Sequence, residues 1–375
     1  MKLEAIRARS LNIPFNTTFR HAQAERAATQ TLWVEAHAEG CTGYGEGCPR
    51  EYVTGETLAT AAAFCSAYAS QWRESIRDLP TLRRWSAAHV RDIDRNPAAW
   101  AAVELALLDL LGKVENHPVE ALLGLPPLSG SFRYTAVLGD APGPQFAAQL
   151  RHYLAAGFED FKVKLSGDST RDEEKVRVLA RAGLAGVAVR ADANNLWPTA
   201  GAAIGALESL DFRFRAVEEP LRAGDYAGMA RIAATLDTSI VLDESMIRSD
   251  QLGHLDATPG RWIVNLRISK MGGLLRSLDL VPQIRRRQLG LIIGAQVGET
   301  SVLTRAALTV ANAARDILIA QEGAFGTHLL ARDVAEPSLR FGAGGVLEAD
   351  ELRAGAGWSL AIVTREGDLS ELASA

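Results

Sequence analysis

Hydrophobic and polar positions change period along the chain. Over residues 2–12 and 29–38 they alternate, and 43–47 follows a glycine-containing turn. Alternation places one strand face on a core, so these stretches predict an antiparallel meander. Residues 55–75 and 97–114 switch to helical spacing. In the second, Trp100, Val103, Leu107, Leu110 and Leu111 form one apolar stripe. The proline- and glycine-rich stretch 126–130 predicts a domain boundary.

Beyond it the pattern becomes regular. Short apolar or β-branched runs fall at 134–138, 161–165, 187–191, 214–217, 240–242, 262–268, 291–295 and 317–320. Amphipathic stretches at 144–156, 171–185, 272–287 and 301–314 lie between them. Strands alternating with helices predict parallel βα units. Eight of them favour an α/β architecture with a (β/α)8-type barrel, with an open doubly wound sheet as the alternative. The expected organisation is an α+β capping domain over 1–128, a barrel over 129–340, and a segment over 341–375 that returns to the cap.

Composition narrows the possible functions. The 375 residues are 47% hydrophobic and 23% charged, an ordinary globular balance. Forty Lys+Arg against 45 Asp+Glu leave a net charge of -5, which disfavours nucleic-acid or membrane binding by charge. No apolar run approaches the roughly 18 residues of a membrane span. Cys41, Cys48 and Cys65 show no metal-binding or disulfide spacing, and the N-terminus lacks a signal-peptide core, so a cytoplasmic location is expected.

In a parallel barrel, chemistry gathers at the C-terminal strand ends. Three consecutive predicted strands end in Asp192, Glu218 and Asp243. Carboxylates around one mouth repel one another unless a cation sits among them, and hard oxygen donors suit Mg2+. On the preceding strand, Lys162 and Lys164 share one face. Inside a barrel, their mutual repulsion and burial should favour the neutral form of one, a good general base. Metal plus lysine suggests proton abstraction next to a substrate carboxylate, with stabilisation of the enediolate.

These residues resemble the enolase superfamily, in its muconate-lactonising branch. KVK (162–164), DAN (192–194), EEP (218–220), DES (243–245) and KMGG (270–273) follow the family's order and spacing. GYGEG (43–47), PREYVTGE (49–56) and ELALLDLLGK (104–113) resemble its capping domain. The resemblance implies Mg2+ on Asp192, Glu218 and Asp243, with Asn194 and Glu244 orienting ligands or lysines around them. It implies Lys164 as base and Lys162 as its electrostatic partner. Substrate contacts are expected from Thr135, Arg20, His21, Arg50, Tyr52, Lys270, Gln296, Glu299 and Glu322, and a homo-oligomer acting on a small carboxylate is expected.

Two positions depart from the branch. Arg267 stands where the strand-6 acid/base lysine falls, with Lys270 nearby as a competing candidate for the pocket. Arginine transfers protons poorly but holds an oxyanion well. At strand 8, Ala320, Gln321 and Glu322 replace the paired aspartates that hold a dipeptide's ammonium. Strand 7 carries Gln296 rather than a histidine base. The expected reaction is one-base: a lyase, such as a dehydratase, or a cycloisomerase. The alternatives are an amino-acid or dipeptide racemase or epimerase, a non-catalytic metal-binding relative, and a metal-free barrel whose carboxylates pair with Lys162 and Lys164.

Overall fold

The computed structural model describes residues 1–21, 24–184, 189–258 and 261–372. Five strands open the chain: β1 (Ala5–Leu11), β2 (Pro14–His21), β3 (Ala24–Ala28), β4 (Thr31–Ala38) and β5 (Cys41–Gly47). The predicted meander is interrupted, because β2 and β3 leave the sheet as a separate antiparallel hairpin. β1, β4 and β5 pair in that order, and the last strand of the chain, β16 (Leu369–Glu371), adds to the free edge of β1. The C-terminal strand therefore pairs with the sheet that opens the chain.

The glycines of β5 have a packing reason. Gly43, Gly45 and Gly47 recur every second residue and lie against the helix Pro97–Glu115. A Cβ at these positions would come within 2.1 Å of the Ala106, Ala102 and Ala98 carbonyl oxygens. A strand face without side chains therefore lets sheet and helix backbones meet.

Short strands β6 (Ser131–Arg133) and β15 (Val346–Glu348) pair antiparallel beside the barrel. The barrel strands are β7 (Ala136–Leu138), β8 (Phe161–Lys164), β9 (Val189–Asp192), β10 (Ala216–Glu218), β11 (Ser239–Leu242), β12 (Trp262–Leu266), β13 (Gly290–Ile293) and β14 (Leu318–Gln321). They form one parallel eight-stranded sheet in sequence order. The Thr135 N–H donates to the Gln321 carbonyl at 2.8 Å, linking the chain entering β7 to the end of β14. This is the modified barrel expected from the eight apolar runs. Strand β12 stops at Leu266, two residues short of the predicted end, and Ile268 opens a one-turn helix, Ile268–Met271, that carries Lys270.

Buried acids of the cap-like motifs hold helix starts in place, one of them across the cap–barrel seam. Glu46 on β5 accepts from the Thr300 N–H and hydroxyl at the start of helix Ser301–Ala313. Glu56 accepts from the N–H groups of Ala98 and Ala99, opening helix Pro97–Glu115. Each satisfies helix-terminal donors that would otherwise be buried without partners. The β2–β3 hairpin is tied to the barrel's last loop, where Asn16 donates to the carbonyls of Thr327 and Leu330 at 3.2 Å. No helix among the described residues is long and apolar enough to cross a membrane.

Candidate active site

Strand register puts the charged residues into tiers inside the barrel. Lys162 pairs with Arg190, and Lys164 with Asp192, across β8 and β9. Asp192 pairs in turn with Glu218 of β10, while Val241 of β11 pairs with Glu218 and places Asp243 one pleat further on. Because side chains alternate, Lys162, Lys164, Arg190, Asp192 and Glu218 all point inward. Adjacent carboxylates on three strand ends follow directly from this register.

In this structure each carboxylate is turned onto a cation. Asp192 lies 3.3 Å from Lys164 and 3.7 Å from Lys162. Glu218 accepts from Lys162 at 3.1 Å and from the Asn265 amide at 2.8 Å. Asp243 pairs with Arg267 and, at 2.7 Å, with Lys270. Among the described residues no three carboxylates converge on one point. Burial pushes the Asp192 carboxyl up, but Lys164, Lys162 and Arg267 outweigh it and hold it at about 2.

The two lysines sit in different surroundings. Burial draws the Lys162 ammonium toward neutrality, yet Glu218, Glu322 and Asp192 together raise it well above the usual lysine range. Lys162 is thereby held charged. Lys164 donates to the Asn194 side-chain oxygen at 3.1 Å. Asn194 itself sits at φ +46°, in the left-handed region asparagine tolerates.

A cavity of about 160 Å3 opens beside these groups. Lys162, Lys164, Asp192, Asn194, Glu244 and Arg267 line its polar side. Phe19 and Tyr52 reach it from the cap, and Val297 and Phe325 from the barrel loops. Glu218 and Asp243 lie behind this wall, both 2% exposed. β8 and β12 stand four steps apart in an eight-strand order, so Lys164 and Arg267 face the cavity from opposite sides. Arg267 also donates to Gln296 at 3.1 Å. Two larger surface clefts, of about 360 and 460 Å3, carry no such cluster of lysines and carboxylates.

Several expected substrate contacts are engaged elsewhere. The Arg50 guanidinium is buried and donates to the carbonyls of Gln30, Pro49, Thr29 and Val297, so it clamps the cap onto the β13 loop instead of lining the cavity. Lys270 is buried beneath Asp243 and donates to its side chain, its carbonyl and the Asn265 carbonyl, which leaves the pocket to Arg267. Glu299 accepts from the Gln296 N–H at 2.6 Å, and burial raises it to about 8. It shapes a turn and is absent from the cavity wall. Thr135 lies between Arg190 and Asp160, away from the lining. Glu322 reaches the cavity, but its oxygens bond Lys162 at 2.6 Å and Arg190 at 3.2 Å. Tyr52 and Gln296 do line the cavity. Arg20 and His21 end β2, and their side chains lie outside the described residues.

Arg190, Asp160, Phe19 and Phe325 were not anticipated. Arg190 was legible: it sits two residues before Asp192, on the same inward face, so the reasoning applied to Lys162 and Lys164 applies to it. The aromatic pair comes from segments whose positions only the closed fold sets.

A barrel of this build, with acids and lysines at its strand ends under an α+β cap, defines the enolase superfamily. Residues 145–363 match the enolase C-terminal domain-like family, and residues 5–124 match the mandelate racemase/muconate lactonizing enzyme N-terminal domain. The chain belongs to the mandelate racemase/muconate lactonizing enzyme family and is an enzyme of that superfamily. It is 29% identical over 358 residues to L-Lys-D/L-Arg epimerase of Methylococcus capsulatus, covering 94% of this chain and 96% of the relative. Cis-3-hydroxy-L-proline dehydratase of Roseibium aggregatum is 30% identical over 254 residues, 64% of each chain. Among solved structures, the dipeptide epimerase of Enterococcus faecalis complexed with Mg and L-Leu-L-Tyr shares the fold with TM-score 0.81 at 24% identity, covering 96% of this chain and 100% of that one.

Proposed function

We propose that this enzyme abstracts the proton next to a substrate carboxylate with one base, Lys164, and completes an elimination or cycloisomerisation. The observation that carries this is Arg267, set opposite Lys164 and bound to Asp243 and Gln296. A guanidinium there orients and stabilises an oxyanion, but it does not return a proton to the second face of the carbon. Lys162, held charged among three carboxylates, adds fixed positive charge beside the reacting group. The cap residues Phe19 and Tyr52 exclude water from the reaction.

The donor set fits Mg2+. Asp192, Glu218 and Asp243 offer hard oxygens on consecutive strands, and Glu244 presents a buried oxygen with no partner beside them. These three would hold the ion, with Asn194 and Glu244 orienting its surroundings. Bound there, it supplies positive charge against the dianion that α-proton removal creates. The ion pairs of Asp192, Glu218 and Asp243 with lysine and arginine favour a second reading, in which these cations replace the metal.

Epimerisation, the activity in the names of several relatives, needs a group that removes the proton on one face and another that returns it on the opposite face. Incubating single enantiomers of acid sugars, N-acyl amino acids, dipeptides and lactones in D2O separates the reactions. Loss of water or ring opening, with deuterium entering from one face, supports the one-base reading. Rapid inversion with exchange from both faces overturns it.

A further inference from the structure

Two buried cations stand side by side in the barrel. Lys162 and Arg190 are register partners on adjacent parallel strands, 4% and 1% exposed. Such a pair is unfavourable unless a carboxylate lies between them. Glu322 of the β14 end is that carboxylate, with one oxygen on each cation. Arg190 is itself fixed from below, donating to Asp160 at 2.8 Å and Thr135 at 2.6 Å. The shortest contact of Lys162 is with Glu322, at 2.6 Å, while Glu218 and Asp192 lie at 3.1 and 3.7 Å.

We propose that Arg190 and Glu322 are positioning residues that hold the Lys162 ammonium closest to Glu322, limiting its competition with a divalent cation for Asp192 and Glu218. The inference rests on the metal-binding reading above. Lys162 already lies within ion-pair reach of two of the three proposed ligands, so it is an internal competitor for the ion. Its position is set by which carboxylate holds it most closely. Arg190 fixes one oxygen of Glu322, so the other stays aimed at Lys162. Shortening or neutralising Glu322 leaves the ammonium with Glu218 and Asp192 as its remaining close anions, and Mg2+ must then displace it.

The test is calorimetric Mg2+ binding to the full chain. Glu322→Gln and Glu322→Asp are expected to weaken Mg2+ binding about tenfold. Arg190→Lys, which keeps the charge but loses the two-armed fork, should produce a smaller loss. The control is the Lys162→Met background. Removing any nearby negative charge weakens cation binding to some degree, and that generic effect persists without Lys162. Competition does not, so in Lys162→Met the Glu322 substitutions should change affinity less than twofold. Glu322→Asp retains the charge and provides a second variant should Glu322→Gln fold poorly. Equal losses in both backgrounds, or normal Mg2+ binding in every variant, overturn the inference while leaving the metal site intact. Absence of Mg2+ binding by the wild-type protein overturns the metal reading and this inference with it.

Discussion

Glu104, on the cap helix Pro97–Glu115, accepts the backbone N–H of Leu275 at 2.9 Å. One motif of the cap thus caps the barrel helix Leu274–Arg286, which opens directly after the glycines of KMGG. Gly273 has φ +105°, and a Cβ there would stand 2.3 Å from the Glu104 carboxylate. Glu104 and Leu275, 171 residues apart, thus join one motif to the helix that follows another.

This contact predicts a pH dependence of stability. Burial raises Glu104 to about 7 from 4.5, against the pull of the Leu275 and Leu274 N–H groups. The folded state then binds a proton that the unfolded state releases. The stabilisation from this group is complete below about pH 4.5 and is lost as pH rises through 7. At about 1.4 kcal/mol per unit, the loss is on the order of 3 kcal/mol. Glu104→Gln should flatten this slope, making the variant more stable than wild type at pH 8 but not at pH 4.5. Urea melts at both pH values check it, and parallel curves would refute it.

Arg50 predicts a stability effect in place of an affinity effect. Its guanidinium reaches four carbonyls, including Val297 across the cap–barrel seam. Arg50→Met leaves these buried acceptors short of a charged donor and should cost about 2–4 kcal/mol in urea unfolding. Arg50→Lys should recover part of that loss. A variant with unchanged stability but weakened ligand binding would return Arg50 to the substrate site.

What the sequence revealed depended on the range of the interaction. The barrel strands were legible because apolar runs such as Ile240–Leu242 of β11 record burial locally. The acids and lysines at their ends were legible because strand alternation and barrel topology fix where they point. The β2–β3 hairpin was missed: residues 16–18 are Asn-Thr-Thr, and its ladder shifts register between Pro14 and Phe19. Partners were harder still. Glu322 meets Lys162 across 160 residues, and Arg50 meets Val297 across 247. Both charged residues read as solvent- or ligand-facing until barrel closure and cap docking bury them.

The metal reading predicts a thermal response. Mg2+ that binds the folded protein alone should stabilise it by about 2.7 kcal/mol at one hundred times its Kd, raising Tm, and EDTA should reverse the shift. Asp192→Asn should abolish the response, because Asp192 is the proposed ligand that reaches the cavity wall. Thermal melts with and without Mg2+ decide the matter. A wild-type Tm indifferent to Mg2+ favours the alternative in which Lys162, Lys164, Arg267 and Lys270 neutralise the carboxylates on their own.

Arg267→Lys tests the reaction itself. Lys164 and Arg267 approach one cavity from opposite strands, so a second amine at 267 would place proton-transfer groups on both faces of a bound carbon. The fork to Asp243 and Gln296 is lost, which should reduce the one-base reaction about tenfold or more, since a positioned oxyanion donor contributes on the order of 10²–10³ in rate. The new lysine should nevertheless introduce deuterium from the face that is silent in wild type, read by NMR of recovered substrate in D2O. Lys164→Ala should lose about 10²–10⁴ in rate and all wild-type exchange, as expected for removal of a general base. Should wild type already exchange from both faces, and Arg267→Lys only slow it, then Arg267 takes part in proton transfer and the one-base assignment falls.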